Sequence, residues 1–366
     1  MKVLRVINSL GIGGAERSIV TNVPIHNKRG VQTDVLLLNG RSSFFIDSLR
    51  NQGINVFYFT NNQNIKTIYN PFLFIRMIKY FKNYDIVHAH LFPSIYWVAL
   101  AKLFSISKTR IVLTEHSTEN RRREGNCFYK MVERWIYGRF DALITITPEA
   151  KINLNNHLKG KYEINMIYNG VDLKAFQNVE KPYKFPNTNV EKPFYLLQVA
   201  SFRVQKDQKT LIRALEHLPE NILVVFVGDG PTQEECIELA KELNVFHRTV
   251  FLGLQEQIPE LMCAADLVIM SSIYEGFGRA AVEGMAARKP VIASNVKGLA
   301  QVVNEERLLF EVGNERELAQ IVTDLYENES LYNELSDICF ENAQRFSLEK
   351  MIEQYENVYR RVLSKE

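Results

Sequence analysis

Lys2-Val3-Leu4-Arg5-Val6-Ile7-Asn8, followed by Gly11-Ile12-Gly13-Gly14-Ala15-Glu16, opens the chain on a strand that turns through glycines into a helix. A short apolar, β-branched run, then a glycine turn, then helical spacing is how a doubly wound parallel sheet begins. The alternation continues. Strands are expected at Thr33 to Leu38, Asn55 to Phe59, Asp85 to Ala89, Arg110 to Thr114, Ala142 to Ile146 and Glu163 to Ile167. Helices fall between them, including Ala15 to Lys28 and Pro71 to Phe81. After Asn169-Gly170-Val171-Asp172, a polar stretch punctuated by Lys181-Pro182, Phe185-Pro186 and Lys192-Pro193 has no periodicity and reads as a linker. The pattern then restarts with strands at Phe194 to Ala200, Ile222 to Val227, Thr249 to Leu252, Leu267 to Met270, Pro290 to Ala293 and Leu308 to Phe310. The expectation is an α/β protein of two doubly wound, Rossmann-like domains facing across a cleft, residues 1–180 and 181–346. A last helix, 347–366, would cross back to the first domain.

A length of 366 residues suits two domains, and 46% hydrophobic with 23% charged residues is the balance of a globular protein. No apolar run is long enough to cross a membrane; the longest, Ile95 to Phe104, is broken by Lys102. Arg5 inside the first apolar run argues for a strand over a signal peptide. Cys127, Cys236, Cys263 and Cys339 lie far apart, without the spacing of a disulfide framework or a zinc site, and a cytoplasmic location is the expectation. Net charge is +2, yet residues 1–180 carry 24 Lys and Arg against 13 Asp and Glu, while residues 181–366 carry 20 against 29. Much of the excess lies in Arg121-Arg122-Arg123, Lys130, Arg134 and Arg139, interleaved with Phe128, Tyr129, Trp135, Ile136, Tyr137 and Phe140. On a helix this makes an aromatic, basic face suited to anionic headgroups at the inner membrane surface; the alternative is a surface helix whose aromatics dock on the sheet. Nucleic acid is not expected as a partner, because no nucleic-acid motif accompanies the arginines.

The clearest chemical signal is Glu275 and Glu283 around Gly276-Phe277-Gly278, ahead of an apolar helix. The glycines allow close backbone approach, and the amides of Arg279, Ala280 and Ala281 can meet a phosphate. The two carboxylates would accept hydroxyl hydrogen bonds at opposite ends of a sugar nucleotide; the plain alternative is a solvated acidic helix start. Gly11 to Glu16 is not a dinucleotide fingerprint, since the third glycine is missing and Asp34 stands at the wrong end of the second strand. Arg203 and Lys206 follow the first strand of the second half and could neutralise a diphosphate, or be loop cations in water. Val227-Gly228-Asp229-Gly230-Pro231 is a strand, turn and helix start. His88 and His90 share a strand face and His116 follows the next strand; core or cleft histidines fit them better than zinc ligands. Asp-x-Asp is absent, so no metal-diphosphate site is expected.

Taken in order, these pieces resemble the family 4 retaining glycosyltransferases of the two-domain GT-B fold. The resemblance rests on Gly13-Gly14-Ala15-Glu16-Arg17, Asp85-Ile86-Val87-His88-Ala89-His90, Thr114-Glu115-His116, Tyr168-Asn169-Gly170-Val171-Asp172, Lys206, Val227 to Pro231, Ala265-Asp266 and Glu275 to Glu283. It implies a metal-independent transferase without a cofactor, whose donor substrate is a UDP- or GDP-linked sugar and whose acceptor is a glycan or lipid-linked hydroxyl, in cell-surface polysaccharide synthesis. Arg203 and Lys206 would bind the diphosphate, Glu283 the ribose and Glu275 the sugar hydroxyls. Amides of Gly278, Arg279 and Ala280 would touch sugar or phosphate, and the backbone near Leu254 and Gln255 would meet the base. His116 would sit near the transferred sugar and Gly14 near donor and acceptor. Two positions depart from the pattern: many members carry arginine where this chain has Ser201, and an acid where it has Gln301. A sugar-nucleotide epimerase of the same fold and a non-catalytic sugar-nucleotide-binding protein are the competing classes.

Overall fold

The computed structural model describes residues 1–11, 14–41, 43–116, 127–186 and 190–364. The first strands are β1 (Lys2–Ile7), β2 (Gln32–Asn39), β3 (Val56–Thr60), β4 (Ile86–His90), β5 (Arg110–Glu115), β6 (Ala142–Thr145) and β7 (Ile164–Met166). They form one sheet in the order β3-β2-β1-β4-β5-β6-β7, with parallel pairing throughout. The second set, β8 (Phe194–Val199), β9 (Ile222–Val227), β10 (Thr249–Phe251), β11 (Leu267–Met270), β12 (Val291–Ser294) and β13 (Leu309–Phe310), forms a parallel sheet ordered β10-β9-β8-β11-β12-β13. Each strand lies within a residue or two of its sequence expectation, because strands covered on both faces must be apolar along their whole length.

The chain divides into two compact units, Met1–Gly170 with Glu349–Glu366, and Val171–Leu348. The second unit begins ten residues ahead of 181, because Leu173 and Phe176 are buried in it and Cys263 Sγ donates to the Phe176 carbonyl at 3.2 Å. The chain crosses between the units twice, and Val171 and Ser347 pair as a parallel bridge where it does so.

In the first sheet, alternation assigns each strand residue to a face. Leu4, Val6, Leu36, Leu38, Val87 and Ala89 join a core with the helices Leu73–Phe81, Ser94–Phe104, Cys127–Tyr137 and Pro148–Leu158. Ile7, Val35 and Leu37 point the other way, against the helices Gly14–Lys28 and Ser43–Asn51. Arg5 and His88 are register partners on this second face, and the C-terminal helix Leu348–Leu363 covers them with Tyr355 and Tyr359.

Candidate active site

In the second unit β8 lies between β9 and β11, so the strand order reverses there, and the crevice outside the carboxyl ends of such strands is where open α/β sheets bind ligands. The segment leaving β8 makes a 3-10 turn, Val204–Lys206; the segment leaving β11 leads to the helix Arg279–Ala286. Side chains at the strand ends fasten these loops together. Gln198 Nε2 donates to the Lys206 carbonyl at 3.1 Å and to Ser271 Oγ at 3.0 Å, and Ser271 Oγ donates to the Asp207 carbonyl at 2.8 Å. The Ile273 amide donates to the Gln205 carbonyl at 2.9 Å. Asp207, at φ 44°, closes the turn in the left-handed region, and Thr210 Oγ1 donates to its carboxylate at 2.6 Å.

The consequence is an ion pair between Lys206 Nζ and Glu275 Oε2, each side chain only 17% exposed. Both charges are therefore immobilised at the strand ends before any ligand arrives. Gly278 caps the following helix at φ 69° and has no side chain to offer its amides, so the first N–H groups of that helix remain available to an anion. A Cβ at Gly278 would lie 2.4 Å from Leu299 Cδ2, and one at Gly298 would lie 2.1 Å from the Glu275 carbonyl, so the loop bearing Glu275 packs directly on helix Lys297–Val303. Glu283, one turn into its helix, is held by Arg279 Nε at 2.8 Å.

Other expected site residues distribute as follows. Arg203 is exposed at the start of the 3-10 turn, and among the described residues its side chain has no partner. Leu254 is 79% exposed after β10, beside Gln255, whose Nε2 donates to the Leu252 carbonyl at 2.7 Å. Ala280 occupies the first turn of its helix. Gly228 and Gly230 serve packing: a Cβ there would meet the Ala200 and Phe202 carbonyls at 2.0 and 2.2 Å. Gly14 begins the first helix with open space around it; Ile12 and Gly13 lie outside the described residues, as do Arg121, Arg122 and Arg123.

In the first unit the reversal falls at β1, between β2 and β4. His88, His90 and His116 converge there, around the buried Arg5 guanidinium. Arg5 bonds His90 Nε2 at 3.1 Å and His26 Nε2 at 3.2 Å; His90 Nδ1 lies 3.0 Å from His116 Nε2. His88 bonds the Tyr359 hydroxyl at 2.7 Å and Thr114 Oγ1 at 2.8 Å. Burial, and then the neighbouring Arg5 charge, hold His26, His88 and His90 well below the ordinary histidine range and push His116 down to about 4. A cation at the centre of the cluster and lone pairs already engaged explain these imidazoles as a hydrogen-bonded network. Sequence reasoning passed over Arg5, Gln198 and Ser271. For Arg5 the signal was present, as a lone charge inside an apolar strand.

The family model described as Glycosyltransferase Family 4 matches residues 12–175, and that described as Glycosyl transferases group 1 matches residues 179–346. The chain is 30% identical to the uncharacterized glycosyltransferase MJ1178 of Methanocaldococcus jannaschii over 75% of each chain. It is 26% identical to the N-acetylgalactosamine-N,N'-diacetylbacillosaminyl-diphospho-undecaprenol 4-alpha-N-acetylgalactosaminyltransferase of Campylobacter jejuni, over 89% of this chain and 90% of that one. Among solved structures, Anabaena Alr3699/HepE in complex with UDP superposes with a TM-score of 0.82 at 24% identity, covering 99% of this chain and 100% of that one. A glycosyltransferase from Rickettsia africae gives 0.83 at 21% identity, covering 100% and 99%. The chain belongs to the family 4 glycosyltransferases. Its two parallel-sheet units are the Rossmann-like domains of the GT-B fold, and the protein is a transferase enzyme.

Proposed function

We propose that the enzyme transfers a sugar, with retention of anomeric configuration, from a nucleoside-diphosphate donor to a hydroxyl of a glycan or lipid-linked acceptor in cell-surface polysaccharide synthesis. The observation that carries this reading is the preformed Lys206–Glu275 pair at the β8/β11 strand ends, beside an uncapped helix N-terminus. In this reading the donor diphosphate takes over Lys206 and the amides of Arg279 and Ala280, which frees Glu275 for sugar hydroxyls, while Glu283 accepts from the ribose. Arg203, free to swing, adds a second cation to the departing diphosphate. Gln255 and the backbone near Leu254 meet the base. Charge builds on the diphosphate as the glycosidic bond breaks, so fixed cations and helix amides lower the barrier with little rearrangement. The Campylobacter jejuni relative is named for an undecaprenol-linked acceptor and the Anabaena protein was crystallised with UDP, which makes a UDP-sugar and a lipid-diphosphate glycan the first substrates to try. A thermal-shift panel of UDP- and GDP-sugars tests the reading: one donor should raise the melting temperature of the chain, and no shift with any of them would count against it.

A peripheral membrane contact, at the inner face of the membrane, is supported by one face of the first unit. No helix among the described residues is long and apolar enough to cross a bilayer. Helix Cys127–Tyr137 docks Ile136 and Tyr137 on the sheet yet exposes Phe128, Tyr129, Met131 and Trp135. Arg139 lies over the Trp135 ring at 4.5 Å, while Arg134 turns to the His157 carbonyl at 2.6 Å. On the same side of the sheet, Phe72, Ile75, Phe104 and Ile106 are exposed beside Lys79, Lys82 and Lys108. Apolar side chains rimmed by lysines suit an anionic interface. The chain should sediment with phosphatidylglycerol vesicles and stay in solution with phosphatidylcholine; equal behaviour with both would remove this contact.

A further inference from the structure

At the amino ends of β4 and β5, the opposite end of these strands from His90 and Glu115, the first unit carries a cavity of about 810 Å³. Lys82, Lys102, Lys108 and Arg110 line it, with Asp85 as the acid beside them. Two of these cations have an ordinary reason to be there. Lys82 follows helix Leu73–Phe81 and Lys102 sits in the last turn of helix Ser94–Phe104, where positive charge meets the helix dipole. That reason does not extend to Lys108, and hydroxyl groups already serve the carbonyls at the end of the first helix. Ser107 Oγ donates to the Phe81 carbonyl at 2.9 Å, and Thr109 Oγ1 donates to the Tyr84 carbonyl at 2.8 Å. The nearby acids are committed as well. Asp85 Oδ2 accepts from the Lys2 amide at 2.7 Å, while Asp141 accepts from Arg110 at 3.1 Å and from the Ile111 amide at 2.8 Å. Lys102 Nζ gives one of its three protons to the Ser107 carbonyl at 2.6 Å, and the side chains of Lys82 and Lys108 have no partner among the described residues. Burial lowers the Lys102 pKa, with Asp141 and Arg110 acting on it in opposite directions, so an anion in the cavity would stabilise its charged form.

We propose that this cavity binds a phosphate ester. Four cations against the committed carboxylates of Asp85 and Asp141 leave positive charge in excess, which a phosphate monoester or diester can balance through charge-assisted hydrogen bonds and a neutral ligand cannot. The volume falls within the roughly 300–1,000 Å³ typical of small-molecule sites, which gives room for an organic group as well as the phosphate. The neighbouring surface says what that group is. Between Lys102 and Ser107, both in the cavity wall, the chain holds Leu103, Phe104 and Ile106 out to solvent, Ile106 completely and Phe104 at 61% exposure. Phe104 is braced by stacking on Phe74 at 5.5 Å. Lysines inside and apolar side chains on the adjoining segment fit an amphiphile with its phosphate inward and its chains outward, which is an anionic phospholipid; a soluble phosphate ester shares the phosphate chemistry and lacks the apolar part. The site is independent of the transferase reading, and it narrows the membrane contact from a face to a headgroup pocket.

The test titrates full-length protein calorimetrically with three soluble probes, dihexanoylphosphatidylglycerol, dihexanoylphosphatidylcholine and sn-glycerol 3-phosphate, with no nucleotide sugar in any arm. The phosphatidylglycerol should bind the wild type, and the phosphatidylcholine, whose ammonium group meets the lysines, at least about 10-fold more weakly. Two double variants remove equal charge from the first unit. Lys82→Gln with Lys108→Gln alters exposed side chains of the cavity and should weaken phosphatidylglycerol by about 10-fold or more, whereas Lys66→Gln with Lys79→Gln, outside the cavity wall, should bind as the wild type does. Lys102→Met, which keeps the apolar stem, should act like the first pair; if it fails to fold, the exposed pair still decides. An equal loss in both pairs, no loss in the first, or no binding of either phosphatidylglycerol or glycerol phosphate to the wild type would overturn the proposal. Glycerol phosphate bound as tightly as the lipid, and lost in the first pair, would support the phosphate site and overturn its lipid occupant. Vesicles separate the pocket from the face. Phosphatidylglycerol vesicles that sediment the wild type and the first pair alike would leave the membrane contact standing and overturn the headgroup pocket. Short-chain lipid binding that is lost in the first pair, with no sedimentation of the wild type, would support the pocket and remove the membrane contact.

Discussion

His26, His88 and His90 are buried and neutral, and His116 joins them at the edge of the network. Their titration sets the acid stability of the first unit. Folded-state values lie below the ordinary 6.5, so between those values and about 6.5 the unfolded chain binds more protons than the folded one. Stability is then fully present above pH 6.5 and is lost as pH falls through the window, at about 1.4 kcal/mol per pH unit for each fully buried histidine. Calorimetry from pH 7 to pH 5 should show a falling melting temperature, and a flat or rising one would contradict the assignment of neutral histidines. Lys206 and Glu275 stood out in the chain as candidates beside the ends of apolar strands, and the structure pairs them, while Glu283 pairs with Arg279. Arg5 showed as a lone charge inside an apolar strand, but Gln198 and Ser271 gave no signal, since a polar residue in or after a strand looks alike whether it faces water or a partner 73 positions away, as Gln198 does with Ser271.

Glycine placement decides how the elements meet around Glu275. Helix Lys297–Val303 approaches the loop so closely that a Cβ at Gly298 would lie 2.1 Å from the Glu275 carbonyl, whereas one at Gly276 would have nothing within 4 Å. Gly298→Ala should therefore displace the loop, lowering stability by roughly 1–3 kcal/mol and weakening donor binding. Gly276→Ala should leave the melting temperature nearly unchanged. Comparable stability of the two variants would refute this packing. Strands were the most readable elements, because burial on both faces forces an apolar run of the right length. Helix starts were less so: the helix expected from Pro71 begins at Leu73, after a turn whose N-cap, Phe72, offers no capping side chain. The two glycines of Val227 to Pro231 could be recognised as a turn, but their need to admit the backbone of Ala200 and Phe202 depends on a neighbour brought close only by the fold.

Across the whole chain, two parallel sheets repeat one plan, with polar residues gathered where each strand order reverses. The proline-punctuated stretch after residue 180 marked a change of composition, yet the second unit already starts at Val171. Composition could not show this, since Leu173 and Phe176 are apolar residues of an ordinary loop until their burial is known. The return of the C-terminal helix to the first unit was expected from the sequence, whereas its role as the cover of Arg5 and His88 appears only with the fold. Basic charge in the first half, and its interleaving with Phe128, Tyr129 and Trp135, was plain from the sequence, while the exposure of Phe72, Ile75, Phe104 and Ile106 was not. The central claim is that a nucleoside diphosphate binds at the β8/β11 strand ends through Lys206. Calorimetric titration of the full-length protein with UDP and GDP, against Lys206→Ala of unchanged melting temperature, tests it directly. One of the two nucleotides should bind the wild type, and the variant should bind it at least about 10-fold more weakly, the loss expected for a charge-assisted phosphate contact. Equal affinity in the two proteins, or binding of neither nucleotide to the wild type, would contradict it.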